Sequence, residues 1–131
     1  WISKEELHVL ITGDVSFFYD SNALWNKYLG SNMRIVLINN SGGGIFRIIP
    51  GPDTSPQMET YFEAQHKQEA KDLCKAFNVD YRAVSDLNSM DEVMRMFYAY
   101  EKTGRPKLLE IFTPAEVNSS VLKSFFEHTR S

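Results

Sequence analysis

Met33-Arg34-Ile35-Val36-Leu37-Ile38-Asn39-Asn40-Ser41-Gly42-Gly43-Gly44 is the stretch whose reading decides the fold. Residues 33–38 are short, mostly apolar and rich in branched side chains, as in a strand buried on both faces of a parallel sheet. The asparagines, the serine and the glycines then stop it abruptly. Toward the N-terminus, residues 7–12 (Leu-His-Val-Leu-Ile-Thr) read in the same way and stop at Gly13-Asp14. Between the two runs, residues 22–29 have the composition of a helix, ended by Gly30-Ser31-Asn32. Strand, helix and strand in this order predict a right-handed crossover unit of roughly thirty residues.

The pattern continues toward the C-terminus. Residues 50–56 (Pro-Gly-Pro-Asp-Thr-Ser-Pro) form a loop by composition. Residues 64–77 predict a helix, with Ala70, Leu73, Cys74 and Phe77 at helical spacing and Glu69, Lys71, Asp72 and Lys75 on a solvated face. A short strand follows at 80–84. Ser89-Met90-Asp91-Glu92 predicts a capping box, opening a helix with the apolar stripe Val93, Met96, Phe97 and Tyr100. Met90, Met94 and Met96 read as packing residues of that helix, which Gly104 and Pro106 end. Residues 107–112 are a further strand and 115–128 a last helix. Alternating strands and helices predict an α/β fold, a three-layer α/β/α arrangement with a mostly parallel sheet.

The bulk numbers set limits. A chain of 131 residues fits one domain, and 43% hydrophobic with 24% charged residues is ordinary for a globular protein. The formal charge of −3 argues against a broad nucleic-acid footprint. No apolar run approaches the roughly 20 residues of a membrane span, and no signal-peptide pattern opens the chain. Cys74, the only cysteine, reads as a buried helical thiol, and a cytoplasmic setting is expected. A strand beginning so near Trp1 suggests a piece of a larger protein.

Two strand ends carry unusual chemistry. Ligands of open parallel sheets bind at the carboxyl edge of the strands. A crossover between neighbouring strands would bring Gly13-Asp14-Val15-Ser16 and Asn39-Asn40-Ser41-Gly42 together there. Asp14 then offers a carboxylate, Asn40 an amide oxygen and Gly42 a main-chain carbonyl. Hard oxygen donors suit Mg²⁺, which keeps positions open for phosphate oxygens and water. Gly13 allows close approach, and Ser16 with its neighbouring amides precedes a helix whose dipole favours a diphosphate. Each piece alone reads as a turn or loop; the pair, 26 positions apart, is far more specific. His8, His66 and His128 have no metal-ligand spacing, although His66 would reach the site if the Pro-rich loop folds over it. Asp20 and Asn22 read as helix caps, and Arg47 as an exposed side chain.

Gly-Asp, a spacer, and Asn-Asn closing the next strand resemble the signature of thiamine-diphosphate enzymes, at the shorter end of its spacing. Many relatives have a further glycine where this chain has Val15. That departure, with Gly-Asp-Val-Ser-Phe-Phe-Tyr-Asp-Ser-Asn-Ala-Leu and Ile-Asn-Asn-Ser-Gly-Gly-Gly-Ile-Phe-Arg-Ile-Ile-Pro, resembles one branch, the menaquinone-pathway 2-succinyl-5-enolpyruvyl-6-hydroxy-3-cyclohexene-1-carboxylate synthases. The close match runs from about residue 12 to 50. The resemblance implies that residues 1–131 are the C-terminal, diphosphate-binding domain of a transferase, with metal ligands Asp14, Asn40 and Gly42. It implies Mg²⁺, with Mn²⁺ or Ca²⁺ as substitutes, and thiamine-diphosphate contacts from Gly13, Asp14, Val15, Ser16, Asn40, Gly42, Gly43, Ile45 and Phe46. Ile45, Phe46 and Ile49 would form an apolar wall beside the substrate. The implied reaction decarboxylates 2-oxoglutarate and adds the succinyl-semialdehyde unit to isochorismate.

The resemblance also implies a homodimer or homotetramer and a pyrimidine-binding domain upstream, with its activating glutamate. No catalytic residue is expected within these 131 residues, because Glu59, Glu63 and Glu69 do not match that glutamate's position. The chain by itself is therefore expected to fold but catalyse nothing. Two rival readings stay open. One is another thiamine-diphosphate 2-oxoacid enzyme of the acetolactate synthase or decarboxylase type. The other is a non-catalytic nucleotide- or phosphate-binding regulatory domain.

Overall fold

The structure, a computed structural model, describes residues 5–48, 63–99 and 104–129. Strands β1 (His8–Gly13), β2 (Met33–Asn39), β3 (Asp80–Val84) and β4 (Lys107–Phe112) form one sheet in the order β1-β2-β4-β3. Every pairing is parallel. The register sets Gly13 opposite Ile38 and Asn39 opposite Phe112, so the ends of β1, β2 and β4 share one edge.

Side chains alternate across the strands and build a core on each face. On one face Ile35 and Leu37 of β2 and Leu108 of β4 meet Phe17, Leu24, Ala70, Cys74 and Val79. On the other, Val36 and Leu109 meet Val84 and Phe97. The first core is covered by α1 (Asp14–Tyr19) and α2 (Lys71–Ala76), the second by α3 (Met90–Tyr98). These are the three predicted α/β/α layers. Full burial of side chains such as Leu37, Leu108 and Phe97 stabilises by roughly 1.5–3 kcal/mol each. A fourth helix, α4 (Ala115–Thr129), follows β4 and leaves Val117, Val121, Phe125 and Phe126 exposed.

Two buried cations anchor the opposite end of the sheet. Arg34 Nε donates to the Phe97 carbonyl at 2.8 Å, and Lys107 Nζ to the Ala99 carbonyl at 3.1 Å. Both positive charges thereby face the C-terminus of α3, where the helix dipole favours them.

Several expectations need correction. β1 is not buried on both faces: it lies at the sheet edge, paired with β2 alone among the described residues, and Val9, Leu10 and Ile11 are exposed. The predicted helix at 22–29 is only a short 3-10 turn, Ser21–Trp25. The crossover begins instead with α1, whose first residue is Asp14, so Ser16 lies in the first turn of that helix. Asp20 precedes the 3-10 turn without a side-chain capping bond. The helix predicted over 64–77 shrinks to α2, because residues 63–68 bond by main chain and side chain to the loop after β2. Ser89 does not close a capping box. Its hydroxyl donates to Asp86 Oδ2 at 2.6 Å, and these bonds hold the Asp86 carboxyl below its ordinary range. Met90 and Met94 pack in the second core, but Met96 is partly exposed. The 50–56 loop and Tyr100 lie outside the described residues.

Cys74 is fully buried, as its helical neighbours predicted. Burial, and secondarily the charge of nearby Glu110, pushes its thiol up to about 12. The thiol thus stays protonated and shielded in the folded chain. Reaction with a disulfide reagent such as dithiobis-nitrobenzoate at pH 8 should be absent from the native protein and complete in denaturant. Rapid native labelling would show that the α2 face opens without unfolding.

Candidate metal centre

The carboxylate of Asp14 is the centre of the site. It stands immediately after β1, at the start of α1, where a negative charge suits the helix dipole. Only 2% of the residue is exposed. Its Oδ1 accepts the Val15 amide at 2.7 Å, and its Oδ2 accepts the amides of Asn40 at 3.1 Å and Gly42 at 3.0 Å. One carboxylate therefore ties the end of β1 to the loop after β2, across 26 to 28 positions of sequence. Open space lies in front of Gly13 among the described residues, and Gly13 itself is exposed.

The Asn40 amide nitrogen faces Asp14 Oδ2 at 3.3 Å and the Gly42 carbonyl oxygen at 2.7 Å and donates to both. Turned over, the same amide would place its oxygen there instead. The orientation is thus a choice between two states, because an amide exchanges donor for acceptor on turning. With nitrogen inward the site satisfies itself. With oxygen inward, three oxygens of different chemical type converge and repel one another unless a cation lies among them. One carboxylate, one amide and one main-chain carbonyl make a hard donor set that fits Mg²⁺ or Ca²⁺. Among the described residues no three His, Cys, Asp or Glu side chains gather as a metal site.

The glycines of the loop serve close approach. A Cβ on Gly42 would meet the Glu63 carbonyl oxygen at 2.8 Å, and one on Gly44 would strike the Asn40 amide. Ser41 occupies the left-handed region at φ 65°, held by donation from its amide to Asn39 Oδ1 at 3.0 Å. Such backbone strain concentrates at functional sites.

Of the residues predicted for the site, Asp14, Val15, Asn40, Gly42 and Gly43 come together. Ser16 is exposed on α1, close in sequence but outside this hydrogen-bond cluster. Ile45 and Phe46 lie on a 3-10 turn, Gly44–Arg47, with Ile45 exposed and Phe46 against Gly43. Ile49 lies outside the described residues.

Three further participants join the site: Glu63 and Glu110, which were not read as part of it, and His66, which was expected there only if the Pro-rich loop folded over it. His66 is brought to it by donation from its amide to the Ser41 carbonyl at 3.1 Å. Its Nδ1 accepts the Gln68 amide, so the neutral ring carries its proton on Nε2. That atom is buried 3.2 Å from Asp14 Oδ2 but makes no aligned hydrogen bond. The ring also stands edge-on to Phe18, with centroids 5.1 Å apart. Glu63 is buried and pairs with Arg47, which is therefore half-buried and not the exposed side chain predicted. Glu110 is fully buried behind Asn39. Of the three, only Glu110 leaves a signal in sequence, a charged residue inside the apolar run Leu108-Leu109-Glu110-Ile111.

Comparison with known proteins now bears on this geometry. No family model matches the chain. It is 50% identical over 130 residues to the 2-succinyl-5-enolpyruvyl-6-hydroxy-3-cyclohexene-1-carboxylate synthase of Christiangramia forsetii, covering 99% of this chain and 22% of that protein. The synthase of the same name from Flavobacterium johnsoniae is 47% identical over 120 residues, covering 92% of the chain and 21% of the relative. That of Bacteroides fragilis is 36% identical over 129 residues, 98% of the chain and 23% of the relative. By sequence, the chain belongs to this synthase family. It spans little more than a fifth of the length of these relatives. The similarity covers nearly all of the chain, extending well beyond residues 12–50. Among the described residues no helix is long and apolar enough to cross a membrane.

The Arg47–Glu63 pair makes a testable contribution. Hydrogen bonding from Arg47 holds the Glu63 carboxyl below its ordinary 4.5, against the opposing effect of burial. A lowered folded-state pKa gives stability that is full above the unfolded value and is lost as pH falls through the folded one. Arg47→Ala should cost on the order of 1–3 kcal/mol at pH 7, and the deficit should shrink below pH 4.5. Denaturant titrations of both proteins at pH 7 and pH 3.5 check this; a deficit independent of pH would show that Arg47 acts by packing.

Proposed function

We propose that this chain is the diphosphate-binding domain of a thiamine-diphosphate-dependent transferase, a 2-succinyl-5-enolpyruvyl-6-hydroxy-3-cyclohexene-1-carboxylate synthase of menaquinone biosynthesis. The complete enzyme decarboxylates 2-oxoglutarate and adds the succinyl-semialdehyde unit to isochorismate. The observation that supports this reading is the convergence of the Asp14 carboxylate, the Asn40 side-chain amide and the Gly42 carbonyl at the ends of adjacent parallel strands, where a turn of the amide would present its oxygen to an ion. The names of the similar synthases supply the substrate class.

In this reading Asp14, Asn40 and Gly42 would hold Mg²⁺, with Mn²⁺ or Ca²⁺ as substitutes, and the ion would supply positive charge for the diphosphate. The cofactor, when bound, supplies the electron sink that decarboxylation requires. The residues of this chain bind and orient. Asp14 contributes the negative charge of the centre, while the main chain at Gly13, Val15, Ser16 and Gly43 borders the diphosphate. Ile45 and Phe46 follow the metal loop directly, and their apolar side chains would screen the reacting end from water. The partly exposed Ile45 suits a residue that is covered only in the complete enzyme. A pyrimidine-binding domain elsewhere in the longer protein would hold the other half of the cofactor and provide the activating glutamate. Cofactor binding between two domains accounts for the proposed homodimer or homotetramer, and the protein is placed in the cytoplasm.

In the full-length protein, Asp14→Ala should abolish Mg²⁺-dependent binding of thiamine diphosphate while preserving the circular-dichroism spectrum. Calorimetry decides it, and unchanged affinity would remove Asp14 from the site. Phe46→Ala should lower turnover of 2-oxoglutarate with isochorismate by more than it lowers cofactor affinity. Steady-state rates compared with cofactor titrations test this; normal turnover would make Phe46 a packing residue. Assaying pyruvate alongside 2-oxoglutarate separates this synthase from an acetolactate synthase or simple decarboxylase.

A further inference from the structure

The structure assigns Glu110 a role as the positioning residue of the metal loop, acting through Asn39. This inference rests on the cation-binding reading of Asp14, Asn40 and Gly42.

Glu110 lies on β4 with no exposed surface. Its carboxylate accepts from Asn39 Nδ2 at 2.7 Å, from the Tyr81 hydroxyl at 2.7 Å and from the Ala70 amide at 3.0 Å. All three are neutral donors. A carboxylate buried among neutral groups sacrifices hydration, and a well-packed apolar residue is commonly as good or better for stability. What the carboxylate contributes here is direction, because an acceptor-only group accepts one orientation of the amide facing it.

That amide belongs to Asn39, the last residue of β2. Its nitrogen is committed to two acceptors, Glu110 Oε1 and the Gln68 carbonyl, the latter at 3.0 Å. Its oxygen must therefore face the other way, where it receives the Ser41 amide at 3.0 Å. This bond clamps Ser41 at φ 65°, the turn that sends the Asn40 side chain and the Gly42 carbonyl toward Asp14. The paired asparagines thus divide the work. Asn40 offers the ligand, and Asn39, oriented by Glu110, sets the loop that presents it.

Glu110→Gln, made throughout in the Tyr81→Phe background, separates this role from plain core packing. With no Tyr81 hydroxyl left to rotate and accept, the glutamine amide must point its own donor at Asn39 or at the Ala70 amide, and of these only the Asn39 side chain can turn. Turning it presents a nitrogen to the Ser41 amide and releases the loop. Tyr81→Phe is the control, since it removes a donor to Glu110 without touching Asn39. Mn²⁺ binding to the full-length protein with thiamine diphosphate, followed by electron paramagnetic resonance, gives the readout. Glu110→Gln should weaken Mn²⁺ by about tenfold or more, whereas Tyr81→Phe should lower Tm yet keep Mn²⁺ affinity within about twofold. If Glu110→Gln does not fold, Asn39→Ala breaks the same link and should show the same loss.

Wild-type Mn²⁺ affinity in Glu110→Gln or in Asn39→Ala overturns the assignment. So does Tyr81→Phe weakening Mn²⁺ as much as Glu110→Gln. Asp14→Ala, measured alongside, locates any failure. If the wild-type protein binds no Mn²⁺, or Asp14→Ala binds it normally, the metal centre itself is refuted and the inference falls with it. Binding lost in Asp14→Ala but intact in Glu110→Gln refutes the positioning role alone.

Discussion

The Asp14 carboxylate is bonded at both oxygens to main-chain amides, and the geometry of the site follows from that constraint. Val15 engages one oxygen, Asn40 and Gly42 the other. A buried carboxylate is costly unless such donors surround it. Here the donors come from two separate segments, so the charge cannot be satisfied unless β1 and β2 end side by side. The parallel pairing of these strands meets that demand, with Gly13 opposite Ile38. The result is a junction at the carboxyl edge of the sheet, where a cation and an anionic ligand are most readily accommodated.

Behind this junction lies a second layer of polar groups that holds it from the sheet side. Asn39, Glu110, Tyr81 and the Ala70 amide link the ends of β2 and β4 to β3 and the start of α2. Burial, then the hydrogen bond to Glu110 and its charge, raises the Tyr81 hydroxyl well above its ordinary range. In front, residues 63–68 supply His66, Glu63 and the carbonyl that receives Gly43. The loop after β2 is therefore gripped from both sides, which explains how a segment with three successive glycines keeps one conformation. Preorganisation of this kind would fix a donor set in advance of a ligand.

The sheet edges show a different balance. Arg34 and Lys107 close the amino end of the sheet against α3, while β1 and α4 each leave apolar residues exposed. Large apolar patches on soluble proteins commonly mark contact surfaces. The chain spans little more than a fifth of the length of its relatives.

The strands, their parallel character and the polar groups at two strand ends were legible in the sequence, because each is a local property. A buried parallel strand needs a branched apolar run, and a strand end with Gly-Asp or Asn-Asn-Ser-Gly displays its donors in consecutive residues. What was not legible depended on partners distant in the chain. β1 reads as buried because its composition is apolar, yet its burial depends on which strands flank it. Residues 64–69 have helical composition but are held in an irregular path, with Ala64 at φ 48°, by bonds from Gly43 and His66, a tertiary override of propensity. His66 approaches Asp14 through its bond to the loop after β2, and Glu110 approaches Asn39 because β4 lies beside β2 in the sheet. The sequence by itself determined an α/β chain with oxygen donors at two strand ends. Only the tertiary structure decided which side chains orient those donors, because hydrogen bonds between residues 71 positions apart have no local signature.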